Sequence, residues 1–303
     1  MANGSDATPQ RVAITGASGT IGSALGERLS RAGHTVYRLV RGRAQGEQEI
    51  RWDPAGGEVD AAALEGIDAV CHLAGEPLQG RWTETKKRAI VESRHDSTRL
   101  LTETIAGLEH PPRTLVCASA VGYYGSRGDE VLTEDSSAGD DFLAEVCQGW
   151  EAACEPARDA GIRVVNLRQG VVLESVLPKL RLPFKLGLGG RIGDGRQYWS
   201  WISLDDLVGA WCHAIDDAAL SGPVNAVAPH PVTNAEFTRL LGGVLGRPTV
   251  IPLPAVVIRS ALGELADGLL LASQRVQPSR LDDSGFVFEQ PDLEGALRHA
   301  LDG

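Results

Sequence analysis

Several things this sequence lacks narrow what it can be. No apolar run approaches the roughly 18 residues needed to span a bilayer. The opening Met1 to Gln10 is polar, without the apolar core of a signal peptide or anchor, and reads as a disordered leader. The five cysteines (Cys71, Cys117, Cys147, Cys154, Cys212) are scattered, odd in number and free of C-x-x-C spacing. That argues against a zinc site and for a reduced, cytoplasmic protein. Basic residues are in deficit, with 29 Lys and Arg against 40 Asp and Glu, for a formal net charge of -11. Such a balance disfavours nonspecific contact with nucleic acid or with an anionic membrane and favours solubility. Internal repeats and low-complexity tracts are also missing.

What remains is ordinary globular material. With 303 residues, 43% hydrophobic and 23% charged, the chain can bury a full core as one large α/β domain with an appendage, or as two modest domains. The informative stretch is Arg11 to Gly22, R-V-A-I-T-G-A-S-G-T-I-G. Val12 to Ile14 predicts a short apolar strand, Thr15-Gly16 a sharp turn, and Ile21 to Ala32 a helix. Gly16 permits the turn, Gly19 lets the backbone approach a pyrophosphate, and Gly22 lets the helix pack on the strand. The helix N-terminus then offers unpaired N–H groups to an anion. The next strand, Thr35 to Val40, ends in Arg41-Gly42-Arg43 with no acidic residue to hold an adenosine ribose. A guanidinium there suits the 2′-phosphate of NADP, so NADP is expected over NAD.

Further strands are expected at Glu49 to Trp52, Ala69 to Leu73, Leu115 to Ala118, Ile162 to Leu167 and Pro223 to Ala228, with Trp199 to Ile202 as another. Helices are expected at Thr83 to Ile105, Phe142 to Ala160, Leu204 to Ile215, Asn234 to Leu245 and, as one or two, within Pro252 to Leu271. Small residues at Ala74-Gly75 keep a crevice open beside the glycine loop, and Arg94 on the following helix is placed to turn toward it. Ser119 to Gly125 forms a hydroxyl-rich exit at the same edge, suited to polarising a carbonyl. Leu186 to Gly195 reads as a glycine-rich, mobile covering loop. Trp150 and Cys154, four apart on one helix face, read as core.

Alternation of strands and helices after a glycine loop gives a doubly wound parallel α/β sheet. Specific strings go further: T-G-A-S-G-T-I-G at Thr15 to Gly22, L-A-G-E-P at Leu73 to Pro77, Arg81-Trp82-Thr83, Ser93-Arg94, S-A-V-G-Y-Y-G at Ser119 to Gly125, L-G-L-G-G at Leu186 to Gly190, Trp199 to Asp206, and Ser273 to Val276 with Gly285-Phe286. Together they resemble an atypical subgroup of the extended short-chain dehydrogenase/reductases, the epimerase family proteins. The resemblance runs from about Arg11 to Leu301 and implies a Rossmann domain over 11–225, with substrate-region segments from about 174. A smaller C-terminal α/β substrate region follows over 226–303, and a domain of unknown function occupies about 249–299 of it.

With the residue reading, the resemblance implies a cofactor site of Gly16, Ser18, Gly19, Thr20, Ile21, Gly22, Val40, Arg41, Leu73, Ala74, Gly75, Arg94 and Val172. Typical extended members place a Ser or Thr after the fifth strand and Tyr-x-x-x-Lys on the next helix. Here the matching positions are Phe142 with Val146, or Leu143 with Cys147, and neither pair can titrate as required. The expected catalytic set is therefore Ser119, with Ala120 an alternative by one residue, and Tyr123 and Tyr124 as stand-ins for the missing acid/base. Asp140, Asp141 and Glu145 could instead supply a carboxylate, although acids at a helix start commonly serve its dipole. Two functions remain open: an NADP(H)-dependent oxidoreductase or epimerase-like enzyme on an unknown small substrate, or a non-catalytic NADPH sensor acting through partners. A homodimer built on the two long helices is the expected assembly.

Overall fold

In the computed structural model, residues 8–302 are described; most of the expected leader lies outside them. The core is an eight-stranded sheet. Its members are β1 (Arg11–Thr15), β2 (Thr35–Val40), β3 (Glu49–Asp53), β4 (Glu58–Val59), β5 (Ala69–His72), β6 (Thr114–Ala120), β7 (Arg163–Gln169) and β8 (Gly222–Ala226). Their order is β8-β7-β6-β5-β1-β2-β3-β4, parallel throughout except for the antiparallel β3–β4 edge. Central strands covered on both faces need apolar residues without alternation. Val12, Ala13 and Ile14 on β1, and Val70 and Cys71 on β5, are wholly buried. The order reverses between β1 and β5, the switch point where open α/β sheets bind ligands beyond their carboxyl ends.

Helices α1 (Thr20–Arg31), α2 (Glu84–Ala106), α3 (Phe142–Ala152), α4 (Leu173–Lys185) and α5 (Leu204–Asp216) follow in chain order. Helix α1 packs against α5, and α2 against α3. The expected Phe142-to-Ala160 helix is interrupted at Ala153-Cys154; a second piece, Glu155–Asp159, restarts with Pro156 in its first turn, where proline needs no N–H partner. Trp150 and Cys154 are core, as their spacing predicts.

A second lobe has its own apolar centre, including Leu173, Phe184, Trp199, Trp201, Phe237 and Leu297. Sequence reasoning missed α4, which contains Pro178 and Pro183; two interior prolines normally argue against a helix. The expected Trp199-to-Ile202 strand is two short ones. Tyr198–Trp199 pairs antiparallel with Val232–Thr233, and Trp201–Ile202 pairs parallel with Val171–Val172. The break falls at Ser200, whose hydroxyl donates to the Gln274 carbonyl (2.7 Å) and accepts from the Val276 N–H (2.9 Å).

Part of the glycine-rich stretch is hydrogen-bonded to neighbouring segments, while Leu186 and Leu188 are exposed. Gly193 N–H reaches the Leu253 carbonyl, Leu253 N–H the Arg191 carbonyl, and Ile192 N–H the Asn234 side chain. Among the described residues, no helix is long and apolar enough to cross a membrane.

Candidate functional site

The glycine loop is shaped by close contact. Gly16 takes φ 67°, and a Cβ there would lie 3.0–3.1 Å from the Leu73 and Ala74 backbone. A Cβ on Gly22 would fall 2.3 Å from the Gly16 carbonyl oxygen, so the helix start cannot accept one without moving. Gly19 differs: a Cβ there would meet the chain only at 3.4 Å, on the Gly16 oxygen. Ser18, Gly19 and Thr20 are exposed and Ile21 half-buried. Asp141, Ser203 and Thr233 each cap their helix with a side-chain oxygen, whereas α1 begins at Gly19 with no side-chain cap. Its first N–H groups therefore stand open at the switch point, as an anion would require.

Two hydrogen bonds clamp β1 to the exit of β5. Thr15 Oγ1 accepts from the Leu73 N–H (3.0 Å) and the Ala74 N–H (3.1 Å). Its own proton then goes to His72 Nδ1, 2.8 Å away. His72 is fully buried, and burial holds it neutral with a pKa lowered to about 3. Leu73, Ala74 and Gly75 thereby sit beside the glycine loop, as expected. Across the crevice Val40 is half-buried at the end of β2, and Arg41 is exposed, with no ion pair among the described residues. Val172 is buried in the strand beside Trp201–Ile202.

Arg94 does turn toward the crevice, from below. Its guanidinium lies under Gly75, with Nη1 donating to the Glu76 carbonyl (3.0 Å) and the Ile90 carbonyl (3.2 Å), and stacks 4.9 Å over Trp150. The Glu76 carboxylate is engaged by Lys86 at 2.6 Å. Burial lowers the Arg94 pKa, and no carboxylate pairs with it among the described residues.

The hydroxyls expected to do chemistry are placed differently. Ser119, 3% exposed, donates from Oγ to Glu151 Oε1 at 2.7 Å. Glu151 also takes two bonds of 2.8 Å from the Arg168 guanidinium. Arg168 Nη1 donates to the Tyr124 hydroxyl (3.0 Å), which donates in turn to Asn225 Oδ1 (2.7 Å). Tyr124 is wholly buried, and burial pushes its pKa up to about 12. A hydroxyl so enclosed and engaged on both sides is not available for proton transfer to a ligand, so Tyr124 leaves the catalytic set. Tyr123 stays half-buried, its ring 3.4 Å from the Arg168 guanidinium.

Tyr124→Phe is expected to lower the unfolding free energy by about 1–3 kcal/mol, because Asn225 Oδ1 and Arg168 each lose a partner. NADPH affinity should stay unchanged; urea unfolding and a cofactor titration check the two halves.

Sequence reasoning missed Glu151, Arg168 and Asn225. The one available signal was Arg168, a charged residue directly following the strand residues Val164-Val165-Asn166-Leu167. It also missed a cleft of about 390 Å³ lined by Trp82, Ser126, Asp141, Phe142 and Leu143 and by Arg259, Glu264, Asp267, Gly268, Leu271 and Ala272 of the C-terminal region. Phe142 and Leu143 open α3, and Leu143 packs on Gly122 of the β6 exit. Asp141 itself caps α3 by accepting from the Ala144 N–H at 2.9 Å. The Leu186-to-Gly195 loop is not among the lining residues.

Fold and loop together define a Rossmann-type, short-chain dehydrogenase/reductase-like protein. Residues 12–226 match the NAD dependent epimerase/dehydratase family and residues 253–300 a domain of unknown function, and the chain belongs to that epimerase/dehydratase family. An epimerase family protein of Mycobacterium tuberculosis is 47% identical over 95% of this chain and 97% of its own length. Among solved structures, the human epimerase family protein SDR39U1 with NADPH is 36% identical at a TM-score of 0.89, covering 97% of this chain and 99% of that one. A nucleoside-diphosphate sugar epimerase from Corynebacterium glutamicum is 41% identical at a TM-score of 0.82 over 97% of this chain, which spans 58% of that longer one.

Proposed function

We propose that this protein binds NADP(H) in the crevice between the glycine loop and the β5 exit, and acts as an oxidoreductase on a small carbonyl or alcohol held in the adjoining cleft. The observation carrying the reading is the uncapped start of α1, in a loop packed so closely at Gly16 and Gly22 that neither position accepts a Cβ without moving. Exposed Arg41 where an NAD protein keeps an acid supports the phosphorylated cofactor, as does the NADPH in the human relative. A bound nicotinamide supplies or accepts a hydride; the chain would hold its pyrophosphate at Gly19 to Ile21 and its 2′-phosphate at Arg41.

Arg41→Ala is expected to weaken NADPH and NADP binding about 10- to 100-fold, the worth of one or two charge-assisted hydrogen bonds. NAD affinity should be unchanged, and calorimetric titration with the three nucleotides reads this. Equal affinity of the parent protein for NAD and NADP would overturn the assignment.

A second reading, a cofactor-binding protein without turnover, is favoured by one arrangement. The Ser119 hydroxyl donates to Glu151, and the positions that the sequence spacing matches to the usual tyrosine, Phe142 and Leu143, are apolar, which supports this reading. NADPH binding with no oxidation across a broad panel of carbonyls would select it.

A further inference from the structure

The cleft beside α3 carries information about what it can hold. One wall is aromatic: Trp82 and Phe142 meet edge to face at 5.4 Å and 62°. The Trp82 indole N–H is already spent on the Leu78 carbonyl at 2.8 Å, so the small part of the ring that reaches the cleft (the residue is 8% exposed) is apolar. Leu143, Leu271 and Ala272 continue that surface. Beside it runs a π-helical turn, Ala266–Leu271, the kind of helical irregularity that recurs at functional sites. Gly268 sits where a Cβ would come 3.1 Å from the Trp82 ring, so the turn and the indole are fitted to each other.

The charges point the same way. Three carboxylates, Asp141, Glu264 and Asp267, line the cleft against one guanidinium, Arg259. Arg259 is paired with Asp267 at 2.9 Å. Lys87, close behind the wall at 5.2 Å from the Phe142 ring, is paired with Glu264. The one lining cation, Arg259, is paired among the described residues, so a diphosphate would meet three carboxylates and no free cation on the lining, with Arg81 nearby at Gly263 but off it. A neutral molecule meets no such cost. Ser126 Oγ accepts from the Ser273 N–H at 3.1 Å, and its own proton has no acceptor among the described residues, leaving a donor for a ligand oxygen. The volume, about 390 Å³, lies at the lower end of small-molecule sites.

We propose that this cleft takes an uncharged, ring-bearing carbonyl compound or alcohol, its ring against Trp82 and Phe142 and its oxygen at Ser126, and that it excludes nucleoside diphosphate sugars. The proposal names the substrate class for the oxidoreductase reading and rests on it. Calorimetric titration of the full chain, saturated with NADPH, tests it with two probes: 2-tetralone, an uncharged bicyclic ketone, and UDP-glucose. Saturable binding of 2-tetralone is expected, with UDP-glucose at least tenfold weaker. Trp82→Ala should weaken 2-tetralone about tenfold or more, in line with the loss of a buried aromatic anchor, and Phe142→Leu should weaken it less. NADPH affinity should be unchanged in both variants, which confirms that they are folded. The proposal is overturned if UDP-glucose binds as tightly as 2-tetralone, or if 2-tetralone fails to bind or is indifferent to both substitutions while NADPH binds normally. If NADPH itself does not bind the parent protein, the cofactor reading fails, and 2-tetralone binding without it decides the cleft separately.

Discussion

Gly19→Val is expected to cost at least about 100-fold in NADPH affinity, close to 3 kcal/mol, without moving the thermal midpoint by more than about 2 °C. The reasoning separates what the protein needs from what a ligand needs. Gly19 has φ -78° and ψ 169°, a conformation any residue adopts, and a Cβ there meets only the Gly16 oxygen at an ordinary 3.4 Å. Nothing within the chain demands glycine at that position. If nothing binds over the loop, the substitution is silent. If a pyrophosphate lies on the first N–H groups of α1, branched carbons displace it. Gly22→Ala is the internal control, because its Cβ would lie 2.3 Å from the Gly16 oxygen and strain the loop itself. It should lower both the midpoint and the affinity. A Gly19→Val protein that binds NADPH as well as the parent would place the cofactor elsewhere or nowhere.

The three glycines also show why this part of the molecule could be read from sequence. A strand, a tight turn and a helix start are local, and the roles of Gly16, Gly19 and Gly22 follow from backbone geometry within a dozen residues. Arg41 was legible for the same reason, since it sits where β2 ends. The hydroxyls were not. Ser119, near the end of β6, and Tyr124, in the turn after it, are five residues apart, yet their partners Glu151, Arg168 and Asn225 come from α3, β7 and β8. Local pattern carries no trace of those contacts. In sequence a tyrosine at a strand exit looks catalytic, and only the long-range packing reveals it as a buried tie. The cleft was hidden likewise, because its walls come from Trp82, Phe142 and the Ala266–Leu271 turn, far apart in the chain. Helix α4 failed for a different reason: its prolines outweighed its apolar spacing.

The Glu151–Arg168 pair is where the second large effect is expected: Glu151→Ala should destabilise the protein by about 3–5 kcal/mol. The Arg168 side chain is 3% exposed and that of Glu151 13%. Burial alone pulls a guanidinium toward losing its proton, but the two bonds and the charge of Glu151 outweigh that and hold Arg168 above its ordinary range. Removing the carboxylate leaves a buried cation with only the Tyr124 hydroxyl and the Glu134 carbonyl as acceptors, and strips Ser119 of its acceptor as well. A midpoint drop on the order of 10 °C follows for a chain of this size. Arg168→Met in the same background should recover much of the loss, since the uncompensated charge and not the missing contact carries most of the cost. Urea unfolding of the two single variants and the double variant measures the coupling directly. A loss below about 1 kcal/mol for Glu151→Ala would mean that water reaches Arg168 and that the pair behaves as a surface one. The large result would explain how the β6 exit keeps its shape: with half-buried Tyr123 on it, the exit is braced through Arg168 against α3, β7 and β8 at once.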